Sequence, residues 1–473
     1  MRVLLVVWLI LVPFFTWSQA EDSTGVETGL WVSDSAQVSQ DSVDVVEPSK
    51  EFDPIVKFAK KFQWGYYIRL RHELWDNQED LNDDLDDLYS FFRAKIYLGA
   101  GYKPSKNTQF YARIVNESRL YGHKGDGDSI DNDHIWRPER HYFELVFAKL
   151  YFRWRNIAGL PLEMKVGRQY LHNVGFGNQW LIGDGTTIDG SKTFYFNAFR
   201  LTYQFQEGAS LDLVALHNWQ EDPLVIYSEV DRTVTNITDE SGGWLWWKSR
   251  FNNTPYDLYY IYKHEQGGGG FHRQERSNIH TLGLSFRPES DSWWLNAQFA
   301  GQLGTYGNKS RNGYGTIIYG GYKIATERWS IRAGPWFMLL SGDDPETSEF
   351  EAFNNLYGGY PNDDELYINT WARESGTSMW TNINLFGAYM ECRPSPKYNI
   401  KFWYHYMRAA ENVNGAFFGQ GKNRGHMFML KALGEISKRL KAYYMFEYLL
   451  PGDFYNTSAD NAFLSRVNFE WIF

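Results

Sequence analysis

Ala462-Phe463-Leu464-Ser465-Arg466-Val467-Asn468-Phe469-Glu470-Trp471-Ile472-Phe473 is the stretch whose reading decides the fold. Phe463, Val467, Phe469, Trp471 and Phe473 fall on one parity; Arg466, Asn468 and Glu470 fall on the other. Period-two alternation of this kind marks a β-strand with one apolar and one polar face. In water such a strand would be an aggregation-prone edge. It becomes reasonable if its partner is the first strand of a closed sheet whose apolar outside faces lipid.

The same alternation begins at Phe62. Phe62, Trp64, Tyr66, Ile68, Leu70 and Leu74 alternate with Gln63, Tyr67, Arg69, Arg71 and Glu73. A second strand sets Phe92, Ala94, Ile96 and Leu98 against Arg93, Lys95 and Tyr97, and a third sets Phe110, Ala112 and Ile114 against Tyr111, Arg113 and Glu117. Continued along the chain, the pattern predicts about eighteen strands. They lie near 62–75, 88–102, 107–119, 141–155, 162–170, 193–206, 210–219, 244–251 and 256–264. The remainder lie near 278–287, 293–304, 313–325, 328–340, 378–392, 397–409, 424–436, 439–449 and 461–473. Parity blurs around Gly167 and within 397–409, where a bulge is expected.

Short connections, such as Lys103–Lys106, Glu207–Ala209 and Asn252–Pro255, alternate with long ones at 120–140, 171–192, 220–243 and 341–377. Outer-membrane barrels have short periplasmic turns and longer extracellular loops. The expected fold is therefore all-β: a transmembrane antiparallel up-and-down β-barrel of about 18 strands over 61–473, in a bacterial outer membrane. Its closing strand, ending at Phe473, is expected to engage the barrel-assembly machinery, and its outer face to meet outer-membrane lipid.

Composition agrees without deciding. Aromatic residues make up 18% of the 473 residues and Gly numbers 42, while mean hydropathy is −0.49. That balance suits a barrel with alternating lipid and lumen faces, and also a soluble all-β protein. Met1-Arg2, an apolar run from Val3 to Phe15 and Thr16-Trp17-Ser18-Gln19-Ala20 predict a signal peptide over 1–20. Residues 21–60, rich in Ser, Asp, Val, Glu and Thr, predict a flexible periplasmic lead-in. The single Cys392 leaves no intrachain disulfide to form, so the hydrogen-bonded ladder must hold the chain.

The formal charge of −10 is unevenly placed. Acids crowd the loops at Asp76–Asp87, Asp126–Asp133 and Asp343–Glu351, where solvated tips or calcium-holding carboxylates are the two readings. Basic residues collect on the polar parity of the strands, including Arg69, Arg71, Arg93, Lys95, Arg113, Arg153, Arg168, Arg200 and Arg466. Placed at the membrane midplane on the lipid side, each would cost about 2–4 kcal/mol, so they are expected to point inward. Glu73, Glu117, Glu163, Asp212 and Glu470 share that parity, which leaves a positive surplus. Rings of Arg and Lys favour anions, and forked guanidinium groups suit a carboxylate-bearing polymer.

Several segments resemble the alginate export family of outer-membrane porins. Gly167-Arg168-Gln169 is similar to its Gly-Arg-Gln signature. Trp180-Leu181-Ile182-Gly183 and Phe196-Asn197-Ala198-Phe199-Arg200-Leu201 follow at similar spacing. Ser341-Gly342-Asp343-Asp344-Pro345, Phe353-Asn354-Asn355-Leu356-Tyr357 and Leu450-Pro451-Gly452-Asp453-Phe454 resemble its later motifs. The chain departs from the pattern at Trp180 and at Asn197-Ala198. The resemblance implies passive passage of an anionic polysaccharide or oligosaccharide through an arginine-lined lumen, with Arg69, Arg71, Arg93, Arg113, Arg153, Arg168 and Arg200 as lumen candidates. A loop-plugged, non-conducting barrel with a surface-binding or structural role is the competing reading.

Other classes lack support. His72-Glu73 and His264-Glu265 are isolated pairs without a nucleophile in frame, so no enzyme, cofactor or metal site is expected. Gly267–Gly270 is followed by no Lys-Ser/Thr. The acidic balance argues against nucleic acid.

Overall fold

The computed structural model describes residues 61–77, 81, 88–124, 141–171, 180–182, 195–206, 208–228, 238–267, 275–326, 329–358, 381–413 and 418–472. The expected signal peptide and lead-in, the acids at 79–87 and 126–133, and Phe473 lie outside these residues.

Backbone groups in hydrocarbon must all be satisfied internally, and a closed ladder does this without an edge. The described strands are β1 (Phe62–Asp76), β2 (Tyr89–Ser105), β3 (Thr108–Lys124), β4 (His141–Trp154), β5 (Leu162–Gln169) and β6 (Phe196–Gln206). Next come β7 (Ala209–Asn218), β8 (Val225–Ser228), β9 (Glu240–Phe251), β10 (Thr254–Glu265), β11 (Ser277–Phe286), β12 (Trp293–Tyr306) and β13 (Lys309–Ala325). The last six are β14 (Ser330–Leu340), β15 (Ile383–Ser395), β16 (Tyr398–Arg408), β17 (Asn423–Ser437), β18 (Leu440–Pro451) and β19 (Ala462–Ile472).

Except at β8, consecutive strands pair antiparallel; β7 runs directly against β9, and β19 closes on β1. The wall is thus a closed barrel of eighteen strands. The closing register runs from Tyr67 opposite Ile472 to Asp76 opposite Phe463 and sets Arg69 against Glu470, Arg71 against Asn468 and Glu73 against Arg466. This is the pairing the terminal stretch predicted.

Strand β8 was not foreseen. It lies in the connection read as a long loop and pairs with Glu144–Val146 of β4. Strand β5 covers only Leu150–Trp154 of β4, so β8 takes over the donors and acceptors that short β5 leaves above it.

At one end of the barrel no connection exceeds the seven residues 155–161; at the other, most are long. The exception is the two-residue turn Gly307-Asn308 between β12 and β13, with Gly307 at φ +55°. A tight hairpin needs that positive φ, which glycine adopts without strain. The bulge expected within 397–409 occurs at Met407/Arg408 against β17. At Gly167 the register is unbroken, but φ is +113°, and both Arg168 and Gln169 are buried.

Alternation places Trp64, Leu70, Phe92, Ile96, Leu98 and Phe110 on the exposed outer face. Arg69, Arg71, Glu73, Arg93, Lys95 and Glu117 on the intervening positions are buried. The outer apolar band is the surface that lipid covers.

Candidate functional site

The seam between β19 and β1 opens the inner basic array. Glu73 Oε1 lies 2.8 Å from Arg93 Nη1, 3.2 Å from Arg71 Nη1 and 3.2 Å from Arg466 Nε. One carboxylate therefore serves three guanidinium groups. Arg71 also donates to Asn468 Oδ1 at 3.0 Å and to Tyr443 Oη at 2.8 Å, which fixes its plane. Lys95 Nζ sits 2.7 Å from Glu117 Oε1. Arg69 stands between Lys95 on β2 and Glu470 on β19.

The array continues around the wall. Between β1 and β6, six directly opposed cross-strand pairs carry like positive charge: Arg69/Lys95, Arg71/Arg93, Arg93/Arg119, Arg113/Lys149, Arg153/Lys165 and Lys165/Arg200. Two more stand elsewhere, Lys323/Arg332 and Lys401/Lys431. Like charges facing each other destabilise a sheet. Some relief comes from aromatic faces: Arg113 lies 4.7 Å from the Tyr97 ring centroid, Lys149 4.0 Å from Tyr170 and Lys165 4.2 Å from Tyr151. Such cation–π contacts stabilise by about 0.5–2 kcal/mol. Arg200 is chelated by Asp212, Nε to Oδ1 at 2.9 Å and Nη2 to Oδ2 at 3.0 Å. Among the described residues Arg153 has no carboxylate partner. In total, thirteen basic and eight acidic described residues are buried.

Arg168 is a clasp. It donates to both oxygens of Asp222, at 3.0 and 2.6 Å, to Asn197 Oδ1 at 3.1 Å and to the Phe147 carbonyl at 2.9 Å. Its guanidinium lies 3.8 Å from the Tyr195 ring centroid, and the Tyr195 hydroxyl donates to Asp222. Asp222 in turn accepts from the Leu224 N–H just before β8. Gly167 permits this: a Cβ there would meet the Leu150 carbonyl oxygen at 2.3 Å, on a backbone already at φ +113°. Arg168 is thus tied to the wall and to the β8 connection, unlike the seam arginines that crowd one carboxylate.

The described part of the longest connection, Ser341–Gly358, folds back across the inner wall. Ser341 Oγ donates to the Glu351 carbonyl at 2.6 Å and accepts from the Tyr314 N–H. Asp343 Oδ1 accepts from the Glu351 N–H at 3.0 Å, and Glu351 Oε2 accepts from the Asp344 N–H and the Thr347 hydroxyl. These acids therefore close the loop on itself. Burial holds the Asp343 carboxyl above its ordinary range, against the pull of the Glu351 N–H. Among the described residues no group of side chains suited to a metal ion is present.

Beyond that staple, the segment Phe350–Tyr357 reaches strand after strand. Arg311 of β13 donates to the Ala352 carbonyl at 2.8 Å, and Gln302 of β12 makes two bonds with the Asn354 backbone, at 2.6 and 2.8 Å. Lys263 of β10 donates to the Leu356 carbonyl at 2.6 Å while paired with Glu240 and Glu265. The Tyr357 hydroxyl reaches the Ser241 carbonyl of β9, and its N–H donates to Leu181. Trp180 stacks on Phe353 at 5.0 Å and 10°. Gly315 makes room, since a Cβ there would lie 2.4 Å from Trp180. Two of the resemblance motifs, 180–182 and 353–357, thus pack against each other in one buried cluster.

Sequence reasoning missed Arg311, because the strand was begun at 313 behind Asn312-Gly313, and Arg424, which holds the Asn382 carbonyl at 3.0 Å and lies 4.2 Å from the Phe454 ring centroid. For Arg311 the parity with Gly313 and Gly315 was the available signal. For Arg424 it was the start of β17, two residues after the Gly421-Lys422 turn.

Among solved structures, the chain is similar to OccK9 (OpdG) of Pseudomonas aeruginosa, with 13% identity, TM-score 0.56, and coverage of 88% of this chain and 99% of that one. It is also similar to the outer membrane protein OpdK of Pseudomonas aeruginosa (11%, 0.53, 87% and 99%). A third is a BenF-like porin from Pseudomonas fluorescens Pf-5 (11%, 0.52, 88% and 99%). At these identities the likeness shows the fold: an outer-membrane porin barrel. Among curated proteins, none matches the sequence. The profile of the Alginate export family matches residues 110–427, well over half the chain and spanning the Arg168 clasp and the inward loop. The protein belongs to the Alginate export family.

Proposed function

We propose that this outer-membrane channel gives passive, anion-preferring passage to a polysaccharide or oligosaccharide, an alginate-like uronate polymer being the best fit. The observation that carries this reading is the run of six opposed basic pairs from β1 to β6. A barrel braced only for stability would alternate sign, as Glu73 with Arg466 does, because each opposed like pair costs rather than contributes. A sustained positive wall instead lowers the energy of carboxylates beside it, and guanidinium forks bind them bidentately. Membership of a family described as alginate export supports a uronate-bearing solute. In this reading Arg69, Arg71, Arg93, Lys95, Arg113, Arg153, Arg200 and Arg466 provide the field, and Arg168 positions the wall. No catalytic role is assigned to any residue.

Planar-bilayer recording under a salt gradient tests it. The wild-type reversal potential is expected on the anion side, and Arg69→Glu with Arg93→Glu should move it toward cations. An unchanged permeability ratio would remove these residues from the conducting path.

A second reading, a loop-plugged barrel with a surface-binding or structural role, is favoured by the segment Phe350–Tyr357 lying against β9, β10, β12 and β13. Absence of conductance in the wild type, with conductance appearing when that segment is deleted, would favour it.

A further inference from the structure

The outward parity of the wall carries a repeat near its long-loop end. Tyr260 and Tyr262 of β10 flank His280 of β11: Tyr262 stands opposite it in register, and the Tyr260 hydroxyl meets its Nδ1 at 2.7 Å. Tyr404 and Tyr406 of β16 flank His426 of β17 in the same way, with Tyr406 opposite and the Tyr404 hydroxyl on Nδ1 at 2.9 Å. Ring spacings agree as well: 6.2 and 5.1 Å between centroids at His280, 6.0 and 5.3 Å at His426. Each imidazole shares the parity of an exposed leucine on its own strand, Leu282 or Leu430, so both face outward. Toward the rim each is followed on that parity by an exposed arginine, Arg276 in line with His280 and Arg408 in line with Tyr406. Neither guanidinium makes an ion pair among the described residues; Glu275, next to Arg276, lies beside Gly307.

A phenol O–H donates more readily than it accepts, so each Nδ1 accepts and each Nε2 keeps its hydrogen. Among the described residues neither Nε2 makes a hydrogen bond. Each repeat thus offers an oriented N–H donor and, nearer the rim, a cation, on a face that meets lipid. His280 and His426 stand three residues from the starts of β11 and β17, at the end with the long loops, which is the headgroup level of the outer leaflet. Outward positions at the short-turn end are instead aromatic, as Trp64, Trp154, Trp293 and Trp329 show. Below His280 the outward face turns apolar and hollow. Leu258, Leu282, Leu284, Phe299 and Tyr314 line a groove, kept open at Gly301, where a Cβ would meet nothing within 4 Å.

We infer that each repeat docks a phosphorylated glycolipid of the outer leaflet, the imidazole Nε2–H and the arginine donating to its phosphate oxygens, and that at His280 an acyl chain fills the groove around Gly301. Phosphate is the acceptor such a pair favours, because charge-assisted bonds from guanidinium to phosphate are about twice as strong as neutral ones. The order of outward residues along β11, Arg276, Asn278, His280, Leu282, Leu284, runs from cation through polar donor to hydrocarbon. That is the order of headgroup and chain in a lipid standing in the outer leaflet. A dissolved anion would use only the upper half and leave the groove idle. The inference concerns the outside of the barrel and stands whether or not the lumen conducts.

The test uses the full chain in nanodiscs, with lipids retained on release counted by native mass spectrometry. Three probes are compared: lipid A with both phosphates, the same lipid with its phosphates removed, and inorganic phosphate as competitor. The wild type is expected to retain two phosphorylated lipids and to hold the dephosphorylated one about tenfold more weakly. Arg276→Gln with His280→Leu should lose one lipid, Arg408→Gln with His426→Leu the other, and the four together both. Gly301→Phe, which fills the groove, should weaken the first site alone. Assembly is read from the mobility of the unheated band. Tyr260→Phe with Tyr404→Phe removes only the hydroxyls that orient the imidazoles; it should weaken retention partway and serves if the leucine variants do not assemble. Wild-type retention in an assembled variant of the four polar residues, or in the tyrosine pair, overturns the docking sites. So does equal wild-type retention of both lipids, and so does displacement by inorganic phosphate at equal concentration, which would assign the donors to a free anion.

Discussion

Glu73→Gln is the substitution whose outcome the seam geometry specifies most closely. Three guanidinium groups approach Glu73 Oε1 within 3.2 Å, and Glu73, Arg71 and Arg466 side chains are fully shielded from solvent. At an effective dielectric of 20, each contact is attractive by about 4 kcal/mol before desolvation. Desolvation of the four groups consumes most of that sum, so the cost of removing the carboxylate follows measured buried pairs, about 3–5 kcal/mol. The amide oxygen of Gln can still accept one bond, which places the expected loss near the lower end, about 3 kcal/mol. Urea titration of the barrel folded in detergent, read by tryptophan fluorescence and by the mobility of the unheated band, measures it. Arg466→Gln in the same background should recover part of the loss, because it removes one of the stranded charges. On the pore reading proposed above, the anion-to-cation permeability ratio should rise in Glu73→Gln, since the wall gains net positive charge. A change in unfolding free energy below about 0.5 kcal/mol, the scale of an inconsequential surface substitution, would refute the view that this carboxylate balances the seam.

Three further outcomes follow from the same contacts. Gly167→Ala forces a Cβ to 2.3 Å from the Leu150 carbonyl at φ +113°, so folded yield should drop and stability fall by about 2 kcal/mol or more; wild-type yield and urea midpoint would contradict it. Gln302→Ala removes both bonds to the Asn354 backbone, about 2 kcal/mol of anchoring; single-channel conductance should increase and become noisier, most so when combined with Arg311→Met. Asp343 lies outside the strands, and burial raises its folded-state pKa. The folded loop therefore binds a proton more readily than the unfolded chain, and this group's penalty diminishes as pH falls through the folded value. Asp343→Asn should thus protect the loop from proteolysis at least as well as wild type at pH 7, with the difference vanishing on acidification.

The sequence by itself determined the wall. Every one of the eighteen barrel strands was legible, because lipid on one side and a polar interior on the other impose a period of two that no soluble packing disguises. It also put Arg69 and Arg93 on the parity opposite the exposed Leu70 and Phe92, and both are buried, since on the lipid side they would be too costly; and it set Phe62–Trp75 against the terminal stretch. What it left undecided is what each charge does once inside. Arg168 and Arg93 share parity and residue type, yet Arg168 is locked onto Asp222, 54 positions away, while Arg93 competes with Arg71 and Arg466 for Glu73. Those partners come from the folding of the β8 connection and from barrel closure, neither of which has a periodic signature. The same is true of Phe350–Tyr357, whose backbone carbonyls and amide are held by the Arg311, Gln302 and Lys263 side chains of three distant strands while the Tyr357 hydroxyl reaches the Ser241 carbonyl of a fourth, and of the ring chain that runs from Trp294 through Tyr319, Trp336 and Tyr389 to Trp403. Its five rings lie on separate strands up to 109 positions apart in the sequence and become neighbours only when the ladder register brings Tyr319 against Trp336 and Tyr389 against Trp403.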